Sequence, residues 1–208
     1  MLKKPEPLAG AQAQHGGGNA EDSLEYLGSH ARTAILRLFT SICVALLLPE
    51  PRLIRLALFQ PDIPQNTGTI LRLCACLDVE AHIIEPAGFP VSDRHFRRAG
   101  MDYLDAVTIV RHVSWDAFCA WRAEQGGRLL LLSSKANRSY LDVAYAPDDI
   151  LLLGRESAGV PDEVADAADE RLRIPIAPKM RSLNVAVAAA MALGEVLRQV
   201  GAERFSSI

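Results

Sequence analysis

Short apolar runs alternate with segments of helical period from Leu53 onwards. The runs that predict strands are LIRLALF, VEAHIIE, VTIVRHV, RLLLLSS, DILLLG and RLRIPI. The segments that predict helices are Asn66 to Leu77, Trp115 to Glu124, Pro161 to Ala168 and Asn184 to Val200. Strands this uniformly apolar are usually covered on both faces, and alternation with helices favours parallel neighbours. The pattern therefore predicts an α/β fold with a largely parallel sheet flanked by helices.

The segment before Leu53 lacks this alternation. Residues 1 to about 33 are rich in Ala, Gly and Gln and show no sustained period, which is typical of disordered or loosely packed chain. The apolar residues 34–48 predict an amphipathic helix, and this stretch is shorter than the ~20 residues that a membrane span needs. We therefore divide the chain into an N-terminal extension of unassigned role, residues 1–52, and a folded domain, residues 53–208.

Composition narrows the class of protein further. Half of the 208 residues are apolar, which is enough for one good core, and the formal net charge is -3. Any binding of nucleic acid must therefore depend on a local basic patch. The four cysteines lack the C-x-x-C spacing of a zinc site, and the apolar residues 34–48 lie too far behind Met1 to be expected to act as a normal secretory signal. We expect free thiols, no bound metal and a cytoplasmic location.

Ligands of open parallel sheets bind beyond the carboxyl ends of the strands, which directs attention to the loops there. These loops read QPDIPQNTGTILR, EPAGFP, SSKAN, GRESAGVP and PIAPKMRSLN. They contain neither a G-x-x-x-x-G-K-[ST] nor a G-x-G-x-x-G phosphate-binding pattern, and the chain has no H-E-x-x-H or G-x-S-x-G sequence. The sequence therefore disfavours an ATPase, a dinucleotide-dependent oxidoreductase, a metallohydrolase and a serine hydrolase.

The first loop leads into NTGTILRLCA. We predict that Asn66 caps the helix, that Thr67 and Gly68 form a tight turn into it, and that Arg72 follows within it. A guanidinium is conspicuous on a helix otherwise filled with Leu, Cys and Ala. The alternative is a surface arginine whose aliphatic stem lies on the core.

Two later loops have a similar construction. In GRESAGVPDEV, Gly154 permits close backbone approach, Glu156 lies on the turn, and Pro161 is predicted at the first helical position. In PIAPKMRSLN, Ser182 or Asn184 is predicted to cap the last helix. The alternatives are ordinary strand-to-helix punctuation in the first case and a buried C-terminal helix in the second.

Taken together and in this order, these stretches resemble the SPOUT methyltransferases, and most closely the bacterial subfamily that methylates the ribose 2'-hydroxyl of the tRNA-Leu wobble nucleotide. The segments that carry the resemblance are QPDIPQNTGTILRLCA, HIIEPAGFP, FRRAGMDYLD, LLLGRESAGVP and LRIPIAPKMRSLN. The resemblance spans residues 53–201. It implies a deep C-terminal trefoil knot, S-adenosylmethionine as cofactor, tRNA as substrate and a homodimer.

The resemblance also implies roles for individual residues. The expected cofactor-binding residues are Leu132, Ser133, Gly154, Ile174, Ile176, Ser182 and Leu183. The expected catalytic residues are Asn66, Arg72, Glu156, Ser182 and Asn184. Because a guanidinium is effectively never deprotonated, we expect Arg72 to hold a phosphate and to stabilise alkoxide charge. The proton acceptor is then a phosphate oxygen, a water molecule or Glu156.

RNA contact is expected from a basic helix face in SDRHFRRAG. Arg94, Arg97 and Arg98 stand at positions i, i+3 and i+4, although a solvated helix face would show the same spacing. Lys135 and Lys179 are further candidates on the binding-side loops. In the expected dimer, one subunit holds the cofactor and the other positions the RNA. Two other functions stay open: methylation of ribosomal RNA or another tRNA position, and a catalytically silent RNA- or cofactor-binding module.

Three positions depart from the pattern of the subfamily. The chain has Ala186 where the subfamily continues with serine, Gly194 where a tyrosine is usual, and Arg155 where a proline is usual. The lost hydroxyl groups concern placement of the substrate more than binding of the cofactor.

Overall fold

The computed structural model describes residues 54–90 and 106–201. Its strands are β1 (Arg55–Phe59), β2 (Glu80–Ile84), β3 (Ile109–His112), β4 (Leu129–Leu132), β5 (Arg138–Ser139), β6 (Ile150–Leu153) and β7 (Glu170–Arg173). Its helices are α1 (Pro64–Leu77), α2 (Trp115–Gln125), α3 (Asp162–Asp166) and α4 (Val185–Val200). All six strands and four helices predicted from the apolar pattern are confirmed. β5 was not predicted, because two polar residues at a sheet edge carry no apolar period.

The seven strands form one sheet in the order β3-β2-β1-β6-β4-β7-β5, and every pairing between them is parallel. β1 lies between β2 and β6, with Arg55 in register with both Glu80 and Ile150. The predicted parallel α/β sheet is therefore confirmed. The chain leaves β1 toward β2 on one side and returns to β6 on the other, and this reversal marks the ligand-binding crevice of such sheets. The trefoil knot stays a prediction.

Alternate residues of each central strand enter cores on opposite faces of the sheet. Leu56 and Leu58 of β1 pack with side chains of α1 and α4, whereas Ala57 and Phe59 pack with α2 and α3. This alternation follows from the pleat of a β-strand, which turns successive side chains to opposite faces. The uniformly apolar strands are thus explained by burial on both sides. No helix within the described ranges has the length and apolarity that a bilayer crossing requires.

The helix starts correct three local predictions. α1 begins at Pro64, so Asn66 does not cap it, and Thr67 and Gly68 are buried inside the first turns rather than forming a turn before them. Proline suits this first position because its missing N–H is one of the unpaired donors there. Pro161 precedes α3 as its N-cap instead of occupying the first helical position. At α4 the cap is Asn184, whose side chain accepts from the N–H groups of residues 186 and 187, and Ser182 lies before it.

Candidate active site

A cavity of about 620 Å³ lies beyond the carboxyl ends of the central strands. Four stretches form most of its wall: residues 131–136 after β4, residues 153–160 after β6, Ile174 and Ile176 after β7, and residues 181–185 before α4. Because parallel strands end at the same edge of the sheet, these loops meet although they are far apart in the chain. The cavity is therefore where the strand-end rule places a ligand.

The residues expected to bind the cofactor all line this cavity. They are Leu132, Ser133, Gly154, Ile174, Ile176, Ser182 and Leu183. Four of the residues expected to be catalytic line it as well: Asn66, Glu156, Ser182 and Asn184. The structure thus brings together residues from three separate motifs, while the roles assigned to them stay predictions.

The remaining predicted residues, one catalytic arginine and five basic residues for RNA, are placed differently. Arg72 is on the exposed face of α1 and does not line the cavity. Lys135 lies in the cavity wall, whereas Lys179 is exposed on the loop that leads to α4. The basic cluster Arg94, Arg97 and Arg98 falls outside the described residues.

A chain of hydrogen bonds joins the three motifs. The Asn184 amide nitrogen donates to Asn66 Oδ1 at 2.9 Å, and the Asn66 amide nitrogen donates to Glu156 Oε1 at 3.1 Å. Asn184 Oδ1 meanwhile accepts from the main-chain N–H of Ala186 at 2.9 Å. The N-terminus of α4, the first turn of α1 and the turn after β6 are therefore held in fixed relative positions, and Asn66 orients Glu156 instead of capping its own helix.

Asp62 and Glu156 hold each other's main chain. The N–H of Asp62 donates to Glu156 Oε2 at 3.1 Å, and the N–H of Glu156 donates to Asp62 Oδ1 at 3.1 Å. The hydroxyl of Ser157 donates to the other oxygen of Asp62. Asp62 was not among the predicted site residues. Its signal in the sequence was its place two residues beyond the first polar residue after β1, at the carboxyl edge of the sheet.

The two carboxyl groups have pKa values that move apart. Hydrogen bonding with Glu156, and then with Ser157, lowers the pKa of Asp62 to about 2 against the opposing effect of burial. Burial raises the pKa of Glu156, and the neighbouring Asp62 raises it further. Asp62 is consequently the carboxyl group of the pair that ionises first, and Glu156 is the one that keeps a proton to higher pH.

Glycine is required at two positions in the turn that carries Glu156. Arg155 and Gly159 exchange main-chain hydrogen bonds of 2.9 and 2.8 Å, which closes the turn tightly. A Cβ on Gly154 would lie 2.6 Å from the carbonyl carbon of Gly159, and Gly159 itself has a φ of 70°. Arg155 uses its N–H in this turn, a bond that the proline usual in the subfamily could not make.

The two departures on α4 have different surroundings. Ala186 is buried with 8% of its surface exposed. Gly194 is exposed, and a Cβ there would meet no atom within 4 Å. The described part of this chain therefore leaves room for a side chain at position 194. Among the same residues, no group of three His, Cys, Asp or Glu side chains is arranged to hold a metal ion.

Comparison with known proteins gives several strong similarities. Over 147 residues the chain is 73% identical to the tRNA (cytidine(34)-2'-O)-methyltransferase of Beijerinckia indica subsp. indica, covering 71% of this chain and 92% of that protein. It is 39% identical over 151 residues to the Escherichia coli protein of the same name, covering 72% and 95%.

Solved structures agree with the fold. A structure described as giving insights into the 2-OH methylation of C/U34 on tRNA matches with a TM-score of 0.68 and 38% identity, covering 72% of this chain and 97% of that one. An AdoMet-bound rRNA methyltransferase from Sinorhizobium meliloti matches with a TM-score of 0.67 and 27% identity, covering 72% and 57%. Residues 53–194 match the family described as SpoU rRNA methylase. With two thirds of its length in that match and relatives of high identity, the chain belongs to the SpoU rRNA methylase family.

Proposed function

We propose that this protein transfers a methyl group from S-adenosylmethionine to the ribose 2'-hydroxyl of nucleotide 34, the wobble nucleotide, in tRNA-Leu species. The choice of substrate is supported by the 73% identity to a relative named for cytidine 34 of tRNA. The observation on which the chemistry depends is the convergence of the three motifs on one cavity through Asn184, Asn66 and Glu156.

The cavity suits the cofactor in size and lining. Its volume of about 620 Å³ lies within the range of roughly 300–1,000 Å³ that is usual for small-molecule sites. Apolar side chains such as Leu153 and Ile174 share the wall with the hydroxyl groups of Ser133 and Ser182. S-adenosylmethionine supplies a methyl group on a positively charged sulfur atom. The bound cofactor named for the Sinorhizobium meliloti relative supports the same assignment here.

The transfer requires the ribose oxygen in line with the methyl group and a route for its proton. Both carboxyl oxygens of Glu156 already accept hydrogen bonds, from the Asp62 N–H and the Asn66 amide. Because these two bonds tie Glu156 to the loop after β1 and to α1, we assign it to positioning the motifs, and we assign proton acceptance to a phosphate oxygen or water. Arg72 does not line the cavity, and its proposed role is to hold the adjacent phosphate and to stabilise alkoxide charge through the fork of its guanidinium.

A homodimer fits an apolar stripe on α4 and the loop before it. Leu183, Val187 and Met191 stand four residues apart and are 37%, 48% and 39% exposed. Val187 and Met191, one turn apart on α4, share one helix face, and Leu183 lies two residues before the helix begins. A second copy of the chain is the occupant that the family resemblance implies. Sedimentation of the Val187→Glu/Met191→Glu variant should give a monomer; an unchanged dimer would place the interface elsewhere.

The substrate is tested by methylation with labelled cofactor. A tRNA-Leu transcript should accept one methyl group at nucleotide 34, and a transcript with a 2'-deoxynucleotide at that position should accept none. Labelling of ribosomal RNA or of another tRNA nucleotide would contradict the proposed target. Cofactor binding without transfer to any cellular RNA would instead indicate a silent binding module.

Arg72 is tested separately. Arg72→Lys keeps the positive charge but loses the bidentate contact that a guanidinium makes with a phosphate, so we expect kcat to fall roughly 100-fold. Thr69→Ala, one turn earlier on the exposed side of the helix, is the matched control. Full activity of Arg72→Lys would exclude the bidentate role.

The same proposal treats residues 53–208 as the catalytic domain and residues 1–52 as an extension without an assigned role. A tRNA substrate favours a cytoplasmic location.

A further inference from the structure

Most arginines in the described part of the chain have an acidic partner. Seven of them form ion pairs, for example Arg138 with Glu170 at 2.6 Å and Arg171 with Asp166 at 2.5 Å. This pairing matches a chain with a slight excess of acidic residues. Among the described residues, cations that lack such a partner are therefore a minority.

Four exposed cations have no acidic side chain of the described residues within 4.0 Å. They are Lys135, Arg173, Lys179 and Arg181. Lys135 follows the carboxyl end of β4, and Arg173 is the last residue of β7. Lys179 and Arg181 stand on the loop that leads to α4. The cations without partners are thus concentrated at one edge of the sheet, beside the candidate active site.

Arg173 and Arg181 line a second cavity of about 190 Å³. This cavity shares four residues with the wall of the larger one, so the two are continuous along the surface; they are Ser134, Ile174, Ile176 and Arg181. Its volume is below the roughly 300 Å³ at which small-molecule sites begin. A compact anionic group fits it better than a second cofactor does.

Unpaired cations close together repel one another, and an anion relieves that repulsion. The planar fork of arginine matches the oxygens of a phosphate, and lysine binds phosphate as a point charge. A polynucleotide that places its target ribose at the larger cavity must lay neighbouring phosphates on the adjoining surface. Phosphate contacts of this kind fix the register of the strand without reading its sequence.

We propose that Arg173, Lys179 and Arg181, with Lys135 at the cavity mouth, form a phosphate-binding surface for the RNA strand that flanks the methylated nucleotide. The inference rests on the proposed function, because that function supplies the RNA. It assigns a role to Arg173 and Arg181, which lie in the segment LRIPIAPKMRSLN that carries the family resemblance but had no role there. Arg181 also lines the larger cavity, whereas Arg173 and Lys179 do not, so these two separate binding of the strand from binding of the cofactor.

The test uses the full chain with Arg173→Gln and Lys179→Gln combined. Neither residue lines the larger cavity, so affinity for S-adenosylmethionine should not change. Affinity for tRNA should fall roughly tenfold at moderate salt, and the slope of log K against log salt should become shallower by about one to two. The charge-preserving variant Arg173→Lys/Lys179→Arg should restore both quantities.

Arg138→Gln is the matched control. It removes one positive charge, as Arg173→Gln alone does, but from the neighbouring strand β5, where Glu170 already neutralises the guanidinium. Its affinity for tRNA and its salt slope should therefore stay close to those of the unmodified chain. Thermal unfolding of each variant would show that the fold is retained.

The outcomes separate the inference from the proposed function. An unmodified chain that binds neither tRNA nor cofactor contradicts the proposed function. An unmodified chain that methylates tRNA while the Arg173→Gln/Lys179→Gln variant binds tRNA equally well overturns the inference. Equal loss of affinity in Arg138→Gln overturns it too, and so does displacement of tRNA by polyglutamate as effectively as by RNA of equal charge.

Discussion

Two groups of polar residues lie on this sheet, and they differ in what surrounds them. The first is the active-site network of Asp62, Asn66, Glu156 and Asn184, which borders the 620 Å³ cavity. The second is a histidine cluster formed by His82 and His112 with side chains of α2. Both join elements that are distant in the chain.

The histidine cluster is enclosed. His82 is 0% exposed and His112 is 5% exposed, with 2.9 Å between Nδ1 of His82 and Nε2 of His112. The ring centroids of His82 and Trp121 are 4.3 Å apart, and Phe118 meets His112 edge-on at 5.2 Å. Arg55 lies over Trp121 at 5.1 Å. These polar groups face aromatic rings instead of a cavity.

The different surroundings of the two groups imply different roles. A side chain truncated in the enclosed cluster leaves a cavity that its neighbours fill only in part. Substitutions there should therefore lower the stability of the fold. Polar groups that border a cavity can change with little loss of packing, and what they control is the geometry offered to a ligand. Substitutions in the two groups should therefore have opposite effects on stability and activity.

The largest effect is expected from Phe118→Ala in the histidine cluster. Phe118 is fully buried, and truncating such a side chain costs about 3–5 kcal/mol of unfolding free energy. Chemical denaturation measures this loss, and the folded fraction should keep its methyl-transfer activity. Val113→Ala, at a side chain that is 80% exposed, is the control and should change stability by less than ~0.5 kcal/mol. Loss of activity in fully folded Phe118→Ala would break the comparison.

The next effect concerns Glu156→Gln in the active-site network. A glutamine places an amide N–H where one carboxyl oxygen accepts a hydrogen bond, so either Asp62 or Asn66 loses its acceptor. We expect kcat to fall about 100-fold through misplacement of the motifs. Unfolding free energy should change by no more than about 1 kcal/mol. Exposed Glu163→Gln is the matched control; a large loss of stability with intact activity would show that the network is structural.

Acidification should act on the histidine cluster first. Burial, and then the charges of His112 and Arg55, lower the pKa of His82 to about 3, although Glu80 Oε1 lies 2.8 Å from its Nε2. Burial lowers the pKa of His112 as well. Because the unfolded chain binds these protons near pH 6.5, stability is retained above that pH and is lost as the pH falls from 6.5 toward 3.

The size of this loss is about 1.4 kcal/mol at pH 5.5 from His82 alone. Chemical denaturation of the unmodified chain and of His82→Gln at pH 7.5 and 5.5 gives the change in unfolding free energy of each protein between the two pH values. The difference between these two changes is the contribution of His82. Equal pH dependence in both proteins would mean that carboxyl groups, rather than the histidine cluster, set the acid response.

The smallest effect is expected at Gly194, on the helix that Asn184 joins to the active-site network. Since a Cβ there meets nothing within 4 Å, Gly194→Ala should raise the unfolding free energy by about 0.5–1 kcal/mol. Gly154→Ala, whose Cβ would lie 2.6 Å from Gly159, should destabilise and serves as the contrasting variant. A destabilised Gly194→Ala would indicate that a second copy of the chain covers this face.

Predictions from the local sequence were correct where burial decided the structure. They were wrong or incomplete where the sequence allowed more than one helix start or strand pairing. The strand RLALF was correct because all five residues are buried. The start of α1 was wrong because Pro64 and Asn66 both carry an N-terminal signal and only packing selects between them. β5 was missed because its two residues, Arg138 and Ser139, are polar, and the main-chain pairing with β7 that makes them a strand leaves no apolar period in the sequence.

The sequence by itself determined the parallel α/β architecture and the loops that carry chemistry, because apolar period and strand-end position are local properties. Only the tertiary structure decided which side chains meet. The Asp62–Glu156 bonds span 94 residues, and the absence of acidic partners near Arg173 and Arg181 in the described ranges depends on where every carboxylate lies. Such contacts are set by how the strands order themselves, with β1 between β2 and β6, and no local pattern encodes that order.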